Sequence, residues 1–103
     1  MAGICKDYGI EMLVDREITV EGLAIFGSPW SRAFGWTRAF MYAPRDEVRV
    51  YEPLRRYNAP IDILVTHNPP NGIFDQCPHP EGSLELLRLA EKIQPQYHIF
   101  GHI

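Results

Sequence analysis

The chain has 103 residues, of which 46% are apolar and 22% are charged, a composition typical of one soluble globular domain. Its net charge of −3, without a basic stripe, argues against a dedicated nucleic-acid-binding protein, and no apolar run is long enough to span a bilayer. The first seven residues lack the pattern of a signal peptide. The two cysteines, Cys5 and Cys77, form neither a disulfide framework nor a zinc knuckle, so we expect reduced thiols and a cytoplasmic location.

Two β-strands joined by a tight turn are predicted first. Residues 18–20 and 23–26 are mostly β-branched or otherwise apolar, and Glu21-Gly22 between them is a turn sequence. Residues 27–29, Gly-Ser-Pro, should end the second strand.

An aromatic segment follows over residues 30–42. Its rings could form a substrate wall, stacking on a base while the arginines meet phosphate. Alternatively, the rings cover the edge of the core and the arginines are solvated. The second interpretation is favoured because buried aromatic side chains dominate the energetics of small cores. The side chains concerned are Trp30, Arg32, Phe34, Trp36, Arg38, Phe40 and Tyr42.

The second half of the chain reads as helix, strand, loop, helix and strand. A helix is expected over residues 46–57, with acidic residues at its start, and Pro60 bars its continuation. Residues 61–65 are an almost wholly apolar strand of the kind buried on both faces. Ser83 is a plausible N-cap for a helix over Leu84–Ile93, and residues 97–100 form the next strand.

Two histidines follow the last two predicted strands. His67 comes after the strand over 61–65, in a loop stiffened by prolines, and His102 comes after the final strand. If these strands pair in parallel, both imidazoles lie at the carboxyl edge of the sheet, where open α/β sheets bind ligands. Imidazole is a common ligand of zinc, manganese and iron, so the pair could form half of a metal site. Judged by spacing alone, ordinary loop histidines are the commoner case. His98 is expected to be packed or solvent-facing, and His79 to lie in a surface loop.

A family resemblance favours the metal interpretation. Residues 62–70, Asp-Ile-Leu-Val-Thr-His-Asn-Pro-Pro, and 98–103, His-Ile-Phe-Gly-His-Ile, resemble the last two motifs of the calcineurin-like metallophosphoesterases. The likeness is to the small branch with Thr-His-Gly-Pro-Pro followed by Phe-Gly-His-Ile-His. Gly-Ser-Pro-Trp at 27–30 and Ser-Leu-Glu-Leu-Leu at 83–87 resemble the same branch, in the same order.

The resemblance implies a two-metal hydrolase of phosphodiester or phosphomonoester bonds in a small-molecule substrate. The family uses two divalent metal ions, which are manganese, iron or zinc, and its motifs would make His67 and His102 ligands of the same, second metal. The implied fold is α/β. The chain would be the C-terminal half of an α-β-β-α sandwich, with one mixed sheet and flanking helices.

The sequence also departs from the family. The earlier motifs Asp-X-His, Gly-Asp and Gly-Asn-His are absent, the chain stops one residue before the histidine that completes the final motif, and Asn68 replaces a glycine. We therefore expect residues 1–103 to be a single partial domain, truncated at both ends, with no catalytic residue of its own and no activity alone. Unless the missing half of the domain is present, an uncovered sheet face should cause poor solubility or self-association.

Two alternatives remain. The chain could be a non-catalytic or degenerate half-domain that needs a partner to complete the site. An aromatic-arginine nucleic-acid module is a third interpretation, and the acidic net charge speaks against it.

Overall fold

A mixed four-stranded sheet organises the chain. The structure is a computed structural model and describes residues 8–32, 40–74 and 82–101. The described elements are β1 (Arg16–Val20), β2 (Leu23–Ser28), β3 (Ser31–Arg32), β4 (Met41–Tyr42), a 3₁₀ turn (Pro44–Asp46), α1 (Glu47–Val50), α2 (Glu52–Arg56), β5 (Ile63–Thr66), α3 (Leu84–Ile93) and β6 (Tyr97–Ile99).

The strand order in the main sheet is β1-β2-β5-β6. Strand β1 is antiparallel to β2, whereas β2, β5 and β6 run parallel to one another. The two-residue strands β3 and β4 form a separate parallel pair within the segment predicted to be an aromatic loop. The fold is therefore α/β with a mixed sheet, as predicted.

The predicted hairpin is confirmed. Glu21 and Gly22 both have positive φ, of 50° and 83°. Two central residues with positive φ make a type I′ turn, whose twist matches that of the flanking strands. Glycine adopts this conformation without steric cost, and glutamate does not.

The single helix predicted over residues 46–57 is wrong. A 3₁₀ turn comes first, and the α-helical part divides at Tyr51 into α1 and α2. Pro53 explains the break, because it has no N–H to donate to the carbonyl oxygen of Arg49. It stands instead in the first turn of α2, where proline is tolerated.

Helix α3 begins and ends as the sequence predicts. The Ser83 side chain accepts a hydrogen bond from the N–H of Leu86 at 3.0 Å, which is an N-cap interaction. At the other end Gln94 adopts the left-handed conformation, with φ of 54°, before Pro95. Leu86 and Leu89 are buried on the inner face of the helix.

The hydrophobic core lies between the helices and one face of the sheet. The sheet contributes Phe26 from β2 and Leu64 from β5, which are opposite each other in the strand register. The core as described consists of Phe26, Tyr42, Tyr51, Leu54, Ile61, Leu64, Leu86 and Leu89.

The opposite face of the sheet is mostly apolar, with Arg16 of β1 at one corner, and is not covered by any described helix. The register aligns Ile18, Ile25, Ile63 and Tyr97 in a row across the four strands; Val65 and Ile99 follow on β5 and β6, and Val20 and Leu23 pair beside the turn. We call these eight side chains the open face.

Strand β5 therefore differs from its prediction. Leu64 and Thr66 are buried, but Ile63 and Val65 on the open face are only half-buried. The strand is apolar on both faces, yet only one face is packed by the described residues.

None of the helices in the described ranges is long and apolar enough to cross a membrane.

Candidate functional site

The three parallel strands end at one edge of the sheet, and His67 lies in the middle of it. Strand β2 ends at Ser28, and its backbone oxygen accepts a hydrogen bond from the N–H of His67 at 3.3 Å. The backbone oxygen of His67 in turn accepts from the N–H of Gly101 at 3.3 Å. His67 directly follows β5 at this edge, as the sequence predicts, and its side chain is exposed. His102, the other predicted ligand, lies outside the described residues.

The loop that carries His67 is held by a hydrogen bond within the loop and by another to the start of α3. The Thr66 hydroxyl donates to the backbone oxygen of Asn68 at 2.7 Å. Beyond His67, Pro69 and Pro70 are fully buried, and the oxygen of Pro69 accepts from the N–H of Ser83 at 3.0 Å. The loop is thereby attached to the N-terminus of α3, which fixes the backbone on both sides of the exposed imidazole.

Gly82 allows the loop and α3 to approach this closely. A Cβ atom at position 82 would overlap the backbone oxygen of Pro70, so no other residue fits without a backbone shift. The side chain of Asn71 donates to the oxygen of Gly82 at 3.1 Å and completes the attachment.

Asn68 is buried. It occupies the position of a glycine in the family that the sequence resembles. Its side chain is 2% exposed, and Nδ2 donates to the Tyr42 hydroxyl at 3.4 Å. That hydroxyl donates to Oε1 of Glu47 at 3.1 Å, and Oε2 of Glu47 accepts from the N–H of Glu85 at 3.2 Å. Burial, reinforced by the Glu47 carboxylate, raises the pKa of Tyr42 to about 12. The asparagine amide therefore supports the loop from inside and does not face the edge.

His98 is a residue whose role the sequence did not reveal. Its Nε2 lies 2.8 Å from the Thr66 hydroxyl, and its ring packs edge-on against Phe100 with centroids 5.2 Å apart. Burial lowers the pKa of His98 from 6.5 to about 4. The strand alternation predicted only that the ring packs or faces solvent. Its partner stands 32 residues away, and no local pattern signals that pairing.

A cavity of about 350 Å³ opens beside His67. This volume lies at the small end of the range for ligand sites. The Ser28 hydroxyl is buried there and makes no hydrogen bond to any residue that the structure describes. The lining residues are Leu13, Gly27, Ser28, Pro29, Val65, Thr66 and His67.

The described residues do not complete a metal site by themselves. Within residues 8–32, 40–74 and 82–101, no group of three or more histidine, cysteine, aspartate or glutamate side chains is arranged to hold a metal ion. His67 is the one predicted ligand that these ranges include. The residues present fit a partial donor set at most, because a protein metal site normally needs at least three protein donors.

The described aromatic rings of residues 30–42 contact other side chains of the chain. Trp30 donates from Nε1 to Oδ2 of Asp15 at 2.8 Å and meets Phe40 edge-on at 5.8 Å. Tyr42 is 4% exposed and meets Tyr51 edge-on at 5.9 Å. For Trp30 and Tyr42 the core interpretation is correct, whereas Phe40 is 38% exposed. Phe34, Trp36 and Arg38 lie outside the described residues.

Sequence comparison identifies relatives along nearly the whole chain. Over 96 residues, or 88% of the chain, it is 40% identical to metallophosphoesterase domain-containing protein 1 of Homo sapiens, and equally to that of Mus musculus. A UPF0046 protein of Caenorhabditis elegans is 35% identical over 95 residues, or 91% of the chain. The chain spans 28% of the length of the two mammalian relatives and 31% of the nematode protein. No protein-family profile matches the chain.

Proposed function

This chain is related to the metallophosphoesterases, and from that relationship we propose that it is part of a metal-dependent phosphoesterase. Residues 1–103 would be a partial calcineurin-like domain, the C-terminal half of an α-β-β-α sandwich. The substrate would be a small-molecule phosphodiester or phosphomonoester, and the location the cytoplasm. Self-association through the open face is the further partner interaction that we propose for the chain alone.

His67 and His102 are the proposed ligands of one divalent metal ion. The observation that carries this assignment is the hydrogen bond from the N–H of Gly101 to the oxygen of His67. Gly101 directly precedes His102, so this bond brings the backbone leading into one histidine against the backbone of the other. Both would then stand beyond parallel strands at the ligand-binding edge of the sheet.

The proposed centre has two divalent ions, which are manganese, iron or zinc. When bound, such a pair polarises phosphoryl oxygens and lowers the pKa of a bound water. This chain's contribution is positional: the backbone hydrogen bonds to Ser28 and Gly101 and the buried prolines hold the imidazole of His67 at the edge. The absence of carboxylate ligands from the predicted set leaves the charge of a divalent ion without compensation. We therefore propose that the chain alone binds metal weakly and is inactive.

The second candidate is a non-catalytic or degenerate half-domain that needs a partner to complete the site. The open face is compatible with both candidates, because an apolar sheet surface of this kind is normally covered by another layer, which either the rest of the domain or a partner would supply. The degenerate form of this candidate differs from the first in that its histidine pair does not bind metal.

Calorimetric titration with Mn²⁺ tests the metal site. The unaltered chain should bind Mn²⁺ weakly, His67→Ala and His102→Ala should each abolish the binding, and His79→Ala is the matched histidine control that should retain it. Binding that survives His67→Ala contradicts the assignment. The absence of any binding by the unaltered chain would favour the degenerate half-domain.

Hydrolysis of bis(p-nitrophenyl) phosphate tests the activity. We expect Mn²⁺-dependent, chelator-sensitive turnover by the human relative and none by the 103-residue chain. Turnover by the purified chain would contradict the proposal that it is inactive alone. No turnover by the relative would remove the support for a phosphodiesterase.

A further inference from the structure

One asparagine of the chain stands directly before a glycine. The three asparagines are Asn58 before Ala59, Asn68 before Pro69 and Asn71 before Gly72. An asparagine loses its side-chain amide when the backbone nitrogen of the next residue attacks its Cγ atom. Glycine has no Cβ to hinder this attack, whereas proline has no N–H and does not make it. Asn71 is therefore the asparagine with the most reactive neighbour.

The Asn71-Gly72 pair forms a tight turn just after the loop that carries His67. The N–H of Ile73 donates to the oxygen of Pro70 at 3.3 Å, and Gly72 has a φ of 86°. A positive φ at the third residue of a turn is characteristic of type II, which favours glycine there. Gly72 is exposed, and nothing lies within 4 Å of the position that a Cβ atom would take. This side of the turn is therefore open to solvent.

The Asn71 amide attaches this turn to the start of α3. Its Nδ2 donates to the backbone oxygen of Gly82 at 3.1 Å, and the Asn71 N–H donates to the oxygen of Ser83 at 3.0 Å. Pro70 forms a β-bridge with Ser83 beside these bonds. A carboxylate accepts hydrogen bonds but does not donate them, so only the amide form of residue 71 can make the bond to Gly82.

We propose that Asn71 is a site of deamidation, and that its conversion to aspartate or isoaspartate weakens the attachment of the His67 loop to α3. The backbone nitrogen of Gly72, after losing its proton to hydroxide, forms a bond to Cγ of Asn71. The bond from Cγ to Nδ2 breaks, and the nitrogen leaves as ammonia with a proton taken from water. Water then opens the cyclic imide at either of its carbonyl carbons. The reaction needs no other reactant, and the inference does not depend on the phosphoesterase proposal.

The product loses a donor and gains a charge beside an acceptor. A carboxylate at position 71 would place a negative oxygen against the Gly82 oxygen, which would also lose its hydrogen bond. The start of α3 offers few donors to the new charge, because the N–H groups of Ser83, Glu85 and Leu86 already donate to other acceptors. Isoaspartate also lengthens the main chain by one carbon atom, which displaces the backbone bonds on either side of the turn.

The fold also controls the rate of this reaction. The bond to Gly82 holds the Asn71 side chain against α3, and attack on Cγ requires the side chain to turn toward its own main chain. Deamidation therefore proceeds from a locally open state of the turn, whose population depends on the attachment to α3. We expect the reaction to be slower in the folded chain than in the same chain unfolded by urea.

Peptide mapping by mass spectrometry tests the site. The purified 103-residue chain is incubated at neutral pH with and without urea, and all three asparagines are followed in the same sample. Asn71 should convert at least about tenfold faster than Asn58, because a small decrease in the barrier changes a rate by that factor. Asn68, before proline, should not convert by this route. Conversion of Asn58 as fast as that of Asn71 overturns the site, and equal rates at Asn71 in the folded and unfolded chain overturn the role of the attachment.

Thermal unfolding tests the consequence for the loop. Asn71→Asp reproduces one product and should lower the melting temperature by about 4–8 °C, the shift that the loss of one hydrogen bond causes in a domain of this size. Asn58→Asp is the matched control: it introduces the same charge at an exposed position and should melt like the unaltered chain. Far-UV circular dichroism verifies that each variant is folded.

Hydrogen exchange locates the change. The N–H of Ser83 donates to the oxygen of Pro69 in the His67 loop, so it should exchange faster in folded Asn71→Asp than in Asn58→Asp. A folded Asn71→Asp variant with an unaltered melting temperature and unaltered exchange at Ser83 would overturn the proposed weakening, even if Asn71 deamidates.

Discussion

The hydroxyl of Thr66 lies 2.8 Å from Nε2 of His98 and 2.7 Å from the backbone oxygen of Asn68. A hydroxyl has one hydrogen to donate, and here the carbonyl oxygen accepts it, so Nε2 of His98 must be the donor to Thr66. The ring is therefore held as the Nε2–H tautomer. This arrangement links the last strand to the loop that presents His67.

Acidification should destabilise the fold through His98. Burial lowers the pKa of His98 to about 4 in the folded chain, from 6.5, so the unfolded chain binds more protons between these values. Stability from this group is complete above pH 6.5 and is lost as the pH falls toward 4. Since the ring is only half-buried, we expect a loss of about 1–2 kcal/mol in the free energy of unfolding.

Urea unfolding at several pH values measures this loss. The comparison is with His98→Gln, which keeps an amide near the ring position and has no group that titrates there. The variant should lose less stability on acidification. An equal pH dependence in the two chains would exclude His98 as the cause.

Removing the Thr66 hydroxyl should destabilise the chain. Valine has a shape similar to that of threonine, but Thr66→Val leaves the Asn68 oxygen and the His98 N–H without their hydrogen-bond partner. Thr66 itself is only 4% exposed, so water does not readily replace the hydroxyl. We expect a decrease of about 1–3 kcal/mol in the free energy of unfolding. Thr66→Ser retains the hydroxyl and should lose less. If the two variants were equally stable, the hydroxyl would contribute nothing beyond packing.

A methyl group at position 82 should disturb the His67 loop. Gly82→Ala places its Cβ against the Pro70 oxygen, which belongs to the backbone and cannot rotate away, so we expect a loss of about 1–3 kcal/mol. Gly101→Ala is the control, because nothing lies within 4 Å of its new Cβ. Thermal unfolding of both variants provides the test, and equal stability would show that the close approach to α3 is unimportant.

Replacing Glu21 should stabilise the hairpin. Glutamate has a φ of 50° there, and asparagine adopts this conformation more readily, so Glu21→Asn would create the Asn-Gly sequence preferred in type I′ turns. We expect a gain of about 0.5–1 kcal/mol in urea unfolding. Glu21→Ala, which removes the same charge without favouring positive φ, should show no gain. A similar gain in both variants would assign the effect to charge.

Local sequence signals predicted the elements that short-range interactions determine. The hairpin turn, the Ser83 cap and the end of α3 before Pro95 each depend on neighbouring residues. The break at Tyr51 was not predicted, although Pro53, which explains it, is visible in the sequence.

The same distinction between local and long-range interactions applies to the candidate site. Polar residues directly after apolar strands predicted where His67 would stand, because parallel strands align their carboxyl ends. The contact between Thr66 and His98, and the buried position of Asn68 beside Tyr42, join segments far apart in sequence. No periodicity or spacing encodes such a pair, and only the packed chain reveals it.

The strand order also has a consequence for the route of folding. The β1–β2 hairpin closes over two residues and can form on its own, whereas β5 must find β2 with a register that joins Ile25 to Ile63, 38 positions apart. Closing a loop of that length costs conformational entropy before any stabilising contact between the two strands has formed. We therefore expect the edge that presents His67 to assemble late, after the hairpin has supplied a template for β5.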